Sequence, residues 1–164
     1  MSASSCFSPS ALDRYFTYRL NMLSKLNDMA SHELYQTEAG LNLAEARCLA
    51  CIGSYPHVTV KQLAFEANLD KGTASRAAQS LVELGLAQKS SNPDDGRCVR
   101  LALTPAGRAR WDKVMPLIAE RNHELMDCLD ESERVALLDM LERMLAHAGA
   151  DQYQHKCQRK SGAC

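Results

Sequence analysis

The stretch Asn92-Pro93-Asp94-Asp95-Gly96-Arg97 lies between two short runs in which apolar residues alternate with polar ones. Leu86 to Ser90 comes before it and Val99 to Leu103 after it. Pro, Asp and Gly supply turn chemistry, and alternation is the signature of half-buried strands, so the segment predicts a two-stranded hairpin with an arginine near its tip. A helix-period segment from Asp70 to Leu84 runs directly into it through Gly85, leaving no room for a long loop. Helix, hairpin and tip arginine in that order predict a winged helix-turn-helix, a shape that grips duplex DNA.

The remaining segments read mostly as helix. Ala11 to about Tyr35 contains no Pro or Gly and spaces Leu12, Phe16, Leu20 and Leu23 helically, predicting one long first helix closed before Gly40. Asn42 is the expected cap of a second helix reaching Tyr55, where Pro56 stops it. Thr59 opens a short third, Val60 to Ala67. Asn68-Leu69-Asp70 then makes a tight turn, with Asp70 capping the fourth, and these two helices form the helix-turn-helix. Beyond the hairpin, Thr104 and Pro105 start a fifth helix, which Pro116 should bend. Asp130 with Glu133 fits a capping box for a sixth, ended by Gly149.

The fifth and sixth helices carry apolar stripes (Trp111, Val114, Ile118 and Leu125; Val135, Leu138, Leu141 and Leu145) longer than a small winged module can cover. Together with the first helix they predict a symmetric dimer that sets two reading helices about 34–36 Å apart. The other packing, a monomeric bundle, leaves the stripes to cover one another.

Composition decides where any DNA-binding charge must sit. The formal net charge is −1, so no global basic field exists and the cations must be local. At 164 residues, with 46% hydrophobic and 24% charged residues, the chain suits one folded domain with appended oligomerisation helices. No run of 18 apolar residues occurs, and the start lacks a basic region followed by an apolar one, so neither export nor membrane insertion is expected. The 7 cysteines are scattered rather than paired as metal ligands, which fits reduced thiols and no bound metal or cofactor.

Several segments in fixed order carry a family likeness. Thr59-Val60-Lys61-Gln62-Leu63-Ala64 opens the third helix, and Gly72-Thr73-Ala74-Ser75-Arg76 lies in the fourth. Leu81-Val82-Glu83-Leu84-Gly85-Leu86 leads into the hairpin, Asp95-Gly96-Arg97 marks its tip, and Leu101-Ala102-Leu103-Thr104-Pro105-Ala106-Gly107 follows. Over about residues 10–148 the chain resembles the MarR-family transcriptional regulators. The resemblance implies a mainly α fold with a small β-hairpin wing. Dimerisation helices would occupy 10–36 and 105–148 and the winged helix-turn-helix about 42–104, with an extension at 1–9 and a polar tail at 149–164. It also implies a bacterial, cytoplasmic homodimer on inverted-repeat duplex DNA, repressing transcription until a small ligand or oxidation releases it.

The residues of the fourth helix agree. Lys71 to Val82 contains Lys71 and Arg76 and no acid, and positions 72, 75, 76 and 79 share one face. Arg76 and Gln79 have the chemistry to read guanine or adenine edges, while Lys71, Thr73 and Ser75 suit phosphate contacts. Arg97 resembles the family arginine that enters the minor groove. Asp95 is placed either to aim it or only to form the turn. Arg100, on the opposite face from Val99 and Leu101, is a further phosphate contact.

The signal is less determined. Tyr15, Tyr18, Arg19 and Met22 at helical spacing would suit an aromatic carboxylate, such as a hydroxylated benzoate or pyridine carboxylate; ordinary interface packing is the competing role. His32, His57 and Trp111 are secondary effector candidates. A thiol switch is the alternative input, with Cys6 ahead of the first helix and Cys157 beside His155 and Lys156 as candidates, while Cys48 and Cys51 read as buried small hydrophobes. An enzyme is not expected: the chain has no phosphate-cradling glycine loop, no H-E-x-x-H and no Ser-His-Asp grouping, and a cysteine-dependent peroxidase would rest on Cys6 or Cys157 alone.

Overall fold

The computed structural model describes residues 11–55, 57–92 and 95–149, with 91, 92 and 95–98 described by backbone alone. A short 3-10 turn at Leu12–Arg14 precedes α1 (Phe16–Ala39) and α2 (Leu43–Ser54). Strand β1 (Val58–Thr59), α3 (Val60–Glu66), α4 (Lys71–Glu83), β2 (Ala87–Asn92) and β3 (Asp95–Leu103) follow, then α5 (Pro105–Leu125) and α6 (Glu131–His147).

Cap chemistry sets most helix starts. The side chains of Asn42, Thr59, Asp70, Thr104 and Asp130 each accept the amide three residues on, and those of Asn42, Thr59 and Asp130 close full capping boxes with Glu45, Gln62 and Glu133. Gly40, at φ 63°, ends α1 in the left-handed conformation that glycine adopts without strain. α5 continues through Pro116 to Leu125.

The expected first helix begins later than its sequence suggests. Tyr15 is extended (φ −73°, ψ 134°), which separates the 3-10 turn from α1, and no side chain caps either. Arg19 Nε donates to the Asp13 carbonyl at 2.8 Å, an acceptor that a continuous helix would have spent on its own backbone. Tyr15 therefore stands outside the helical face expected to unite it with Tyr18, Arg19 and Met22.

The wing is also larger than the hairpin alone. Its order is β1-β3-β2, antiparallel throughout, with Val58 opposite Leu101 and Ala87 opposite Leu103. One core joins α2, α3, α4 and the wing stem. It is centred on Leu41, Leu49, Ile52, Leu63, Leu81 and Leu101, with Val114 contributed by α5. Arg110 of α5 donates to the Ala39 carbonyl at the end of α1, and the Trp111 indole N–H donates to the Ala50 carbonyl at 3.1 Å.

The outer helices are different. α1 buries only Ser31, Tyr35 and Ala39, all in its second half, and α6 buries nothing. No helix among the described residues is long and apolar enough to cross a membrane.

Candidate nucleic-acid interface

α4 sorts its side chains strictly by face. Ala74, Ala77, Ala78 and Leu81 are buried, and the small ones let the helix lie close to its neighbours. Lys71, Gly72, Ser75, Arg76 and Gln79 are exposed, and Thr73 is half-buried at the edge. The connection from α3 is tight: Asn68 adopts φ 52°, a left-handed conformation that asparagine tolerates. Asp70 then caps α4, its Oδ1 accepting the Thr73 amide at 2.9 Å. The hydroxyl of Thr73 and the nearby Arg76 hold the Asp70 carboxyl below the usual carboxylate range, the Thr73 hydrogen bonds being the larger cause.

Two of the residues singled out on this face have protein partners. Arg76 Nη2 donates to Thr73 Oγ1 at 3.1 Å. Gln79 donates from Nε2 to Glu83 Oε1 at 2.8 Å, while its Oε1 accepts from Lys89 Nζ of β2 at 2.5 Å. Glu83 and Lys89 were not singled out in the sequence. The i,i+4 spacing of Gln79 and Glu83 was available as a signal. The Lys89 contact depends on how the wing folds back on α4, which no local pattern carries. Ser80, on the inner edge, donates to Glu45 Oε1 at 2.6 Å, so the carboxylate that closes the α2 capping box also fixes α4.

In the wing, Arg100 is half-buried in the central strand, between Ser90 and Thr59 in register, with Leu101 on the other face fully buried. Asp95 and Arg97 lie in β3 by their backbone, and their side chains fall outside the described residues. Cys6 and Cys157 are also outside them, as are Pro93 and Asp94 of the expected turn.

The expected effector residues are not gathered into one cavity. Tyr18, Arg19 and Met22 are exposed on α1. A groove of about 720 Å³ lies further along that helix, with Lys25, Met29 and His32 facing Leu43 of α2 and the acids Asp28 and Glu33 on its wall; Tyr18, Arg19 and Met22 are not in its lining. His57, at φ 62°, lines a smaller cavity of about 320 Å³ with Arg108 where α2, β3 and α5 meet. Trp111 is a packing residue, its N–H spent on Ala50 and its ring 4.7 Å beneath the Arg108 guanidinium.

The thiols of α2 are sheltered. Burial pushes Cys48 up to about 12 and Cys51 up to about 11, which leaves very little of the reactive thiolate at neutral pH. Alkylation of both by iodoacetamide at pH 7 should be about tenfold or more slower in the native protein than in urea, read by peptide mass mapping. Equal rates would mean that α2 opens readily. Cys128, before α6, is an exposed thiol that the sequence did not mark. Among the described residues no group of three or more His, Cys, Asp or Glu could hold a metal.

The family model described as MarR family matches residues 39–97, which span α2 to the wing. An HTH-type transcriptional regulator, BilQ of Clostridium symbiosum, is 26% identical over 121 residues, 74% of this chain and 81% of that protein. The crystal structure of a MarR-family regulator from Silicibacter pomeroyi superimposes with a TM-score of 0.71 at 29% identity, covering 84% of this chain and 92% of that one. The fold is also that of Bordetella bronchiseptica BpsR, with a TM-score of 0.73 at 21% identity over 84% of this chain and 97% of that one; DNA binding by BpsR is regulated by 6-hydroxynicotinic acid.

Proposed function

We propose that this chain, a winged helix-turn-helix transcriptional regulator of the MarR family, is a homodimeric repressor of an inverted-repeat operator. The observation that carries this reading is the exposed face of α4, where Lys71, Ser75, Arg76 and Gln79 stand beside a wing and opposite a wholly buried alanine-rich face. Arg76 reads a base edge in the major groove, joined by Gln79 once its amide exchanges Lys89 and Glu83 for a base. Lys71, Ser75 and Arg100 contact phosphates and set register. Arg97 enters the minor groove from the wing tip, with Asp95 beside it.

Release is by a small aromatic acid. The groove between α1 and α2 supports this: Lys25 offers a cation and His32 a ring N–H, Met29 and Leu43 offer apolar walls, and its volume holds a single-ring acid with room to spare. The likeness to a fold whose BpsR member answers to a hydroxylated pyridine carboxylate points to the same ligand class. Such a ligand relieves repression only if it binds better to a dimer whose two lobes are wrongly spaced for successive grooves. Tyr18, Arg19 and Met22 then serve the dimer surface.

Selection from a random duplex library should recover inverted repeats with half-sites about one helical turn apart. On the recovered operator, Arg97→Ala will weaken binding to all sequences and lower the slope of log affinity against log salt by about one unit. An unchanged slope removes Arg97 from the interface, and a library that returns no inverted repeat defeats the reading as a whole. Thermal-shift screening of hydroxybenzoates and hydroxypyridine carboxylates tests the effector. Stabilisation without release of DNA would count against it.

A further inference from the structure

The sequence alone offers Thr73 as a phosphate contact, but its hydrogen-bonding capacity is already assigned. A threonine hydroxyl has one hydrogen to donate. Here that hydrogen goes to Asp70 Oδ2 at 2.6 Å, a short charge-assisted bond. With the hydrogen fixed there, the oxygen lone pairs turn outward, and one of them accepts Arg76 Nη2 at 3.1 Å. Asp70 is itself held in place, because its other oxygen caps α4 through the Thr73 amide. Gly72 completes the arrangement: a Cβ there would stand 3.1 Å from Asp70 Oδ1 and 3.7 Å from Arg76 Nη1, so the bare backbone keeps the lane along which the guanidinium lies back toward the start of the helix.

We infer that Asp70 and Thr73 form a positioning relay that aims the Arg76 guanidinium before DNA arrives, making Thr73 a determinant of sequence discrimination rather than a phosphate contact. The inference rests on Arg76 reading a base, as proposed above. An exposed arginine otherwise samples many rotamers, and ordering it on binding weakens the specific complex. Restraining one Nη leaves the other guanidinium donors for a guanine edge. The relay also keeps an anion within the reading face, which disfavours a duplex that does not engage Arg76 well enough to compensate.

The test compares affinity for the selected operator with affinity for a random duplex of equal length. Thr73→Val keeps the shape and β-branching but loses the hydroxyl; it should reduce discrimination about tenfold, chiefly on the operator, with the salt slope unchanged. Thr73→Ser keeps the hydroxyl and should retain discrimination. Asp70→Asn carries the test if Thr73→Val does not fold, since asparagine caps as well as aspartate. Its amide can donate to Thr73 Oγ1, compete with Arg76 and remove the anion. Discrimination should fall while affinity for random duplex rises. Equal weakening on both duplexes by Thr73→Val, or undiminished discrimination in both variants, overturns the relay. A wild-type protein with no preference among duplexes instead overturns the functional reading beneath it.

Discussion

Replacing Leu138 and Leu145 of α6 together by glutamate will convert the protein to a monomer and weaken operator binding by about a hundredfold or more. These residues are 54% and 60% exposed in the single chain, in line with Val135 on a helix that buries none of its residues. The opposite end of the chain shows the same excess, with Leu20, Leu23, Leu26 and Met29 exposed along α1. A stripe of that length in water is unfavourable, and a second copy is the simplest cover for it. Two carboxylates in the middle of an apolar seam must either be desolvated unpaired or force it apart. With the partner gone the second half-site is no longer held at high effective concentration, which accounts for the loss on a two-site operator. Sedimentation and anisotropy on full and half operators provide the check. α6 stands outside the core of the winged lobe, so half-site binding should survive. A double variant that stays dimeric with full affinity would show that the seam lies elsewhere.

The second large effect is on folding. Gly107→Ala should cost about 3 kcal/mol, lowering the melting temperature by about 10 °C. A Cβ at that position would stand 1.8 Å from the Leu86 carbonyl oxygen and 2.8 Å from its carbon, and both are backbone atoms that cannot rotate aside. The junction has no slack. The same Leu86 oxygen accepts the Thr104 amide at 3.1 Å, and Thr104 Oγ1 donates to the Gly85 carbonyl at 2.6 Å while accepting the Gly107 amide at 3.0 Å. Inserting a methyl group therefore breaks the joint between the wing stem and α5, which no single rotamer change can relieve. A thermal melt within about a degree of wild type would show that α5 can shift freely against β2.

What was legible in the sequence was what is local. The starts of α2, α3, α4, α5 and α6 follow from one side chain and an amide three residues away, and Asn42, Thr59, Asp70, Thr104 and Asp130 announce them without tertiary help. The sides of α4 were equally plain, because alanine and polar residues alternate at helical period. The break at Tyr15 was not, since an uninterrupted apolar spacing hides a chain that lacks a cap. β1 escaped because two residues carry no periodicity and their partner strand lies some forty residues on. Lys89 escaped for a related reason: its bond to Gln79 exists only once wing and helix have come together. Of the candidate ligand groove the sequence offered only His32, because the groove is formed by α1 and α2 together while the fuller effector pattern lay at the aromatic end of α1.

Thr59 belongs at once to a strand of the wing and to the cap of α3, pairing across to Arg100 while holding the Gln62 amide. Loss of β1 from the stem of the wing thus loosens the first turn of α3, and unwinding that turn frees β1 from β3. The two elements that flank the reading helix should therefore open together, with matching protection of their amides in a hydrogen-exchange measurement.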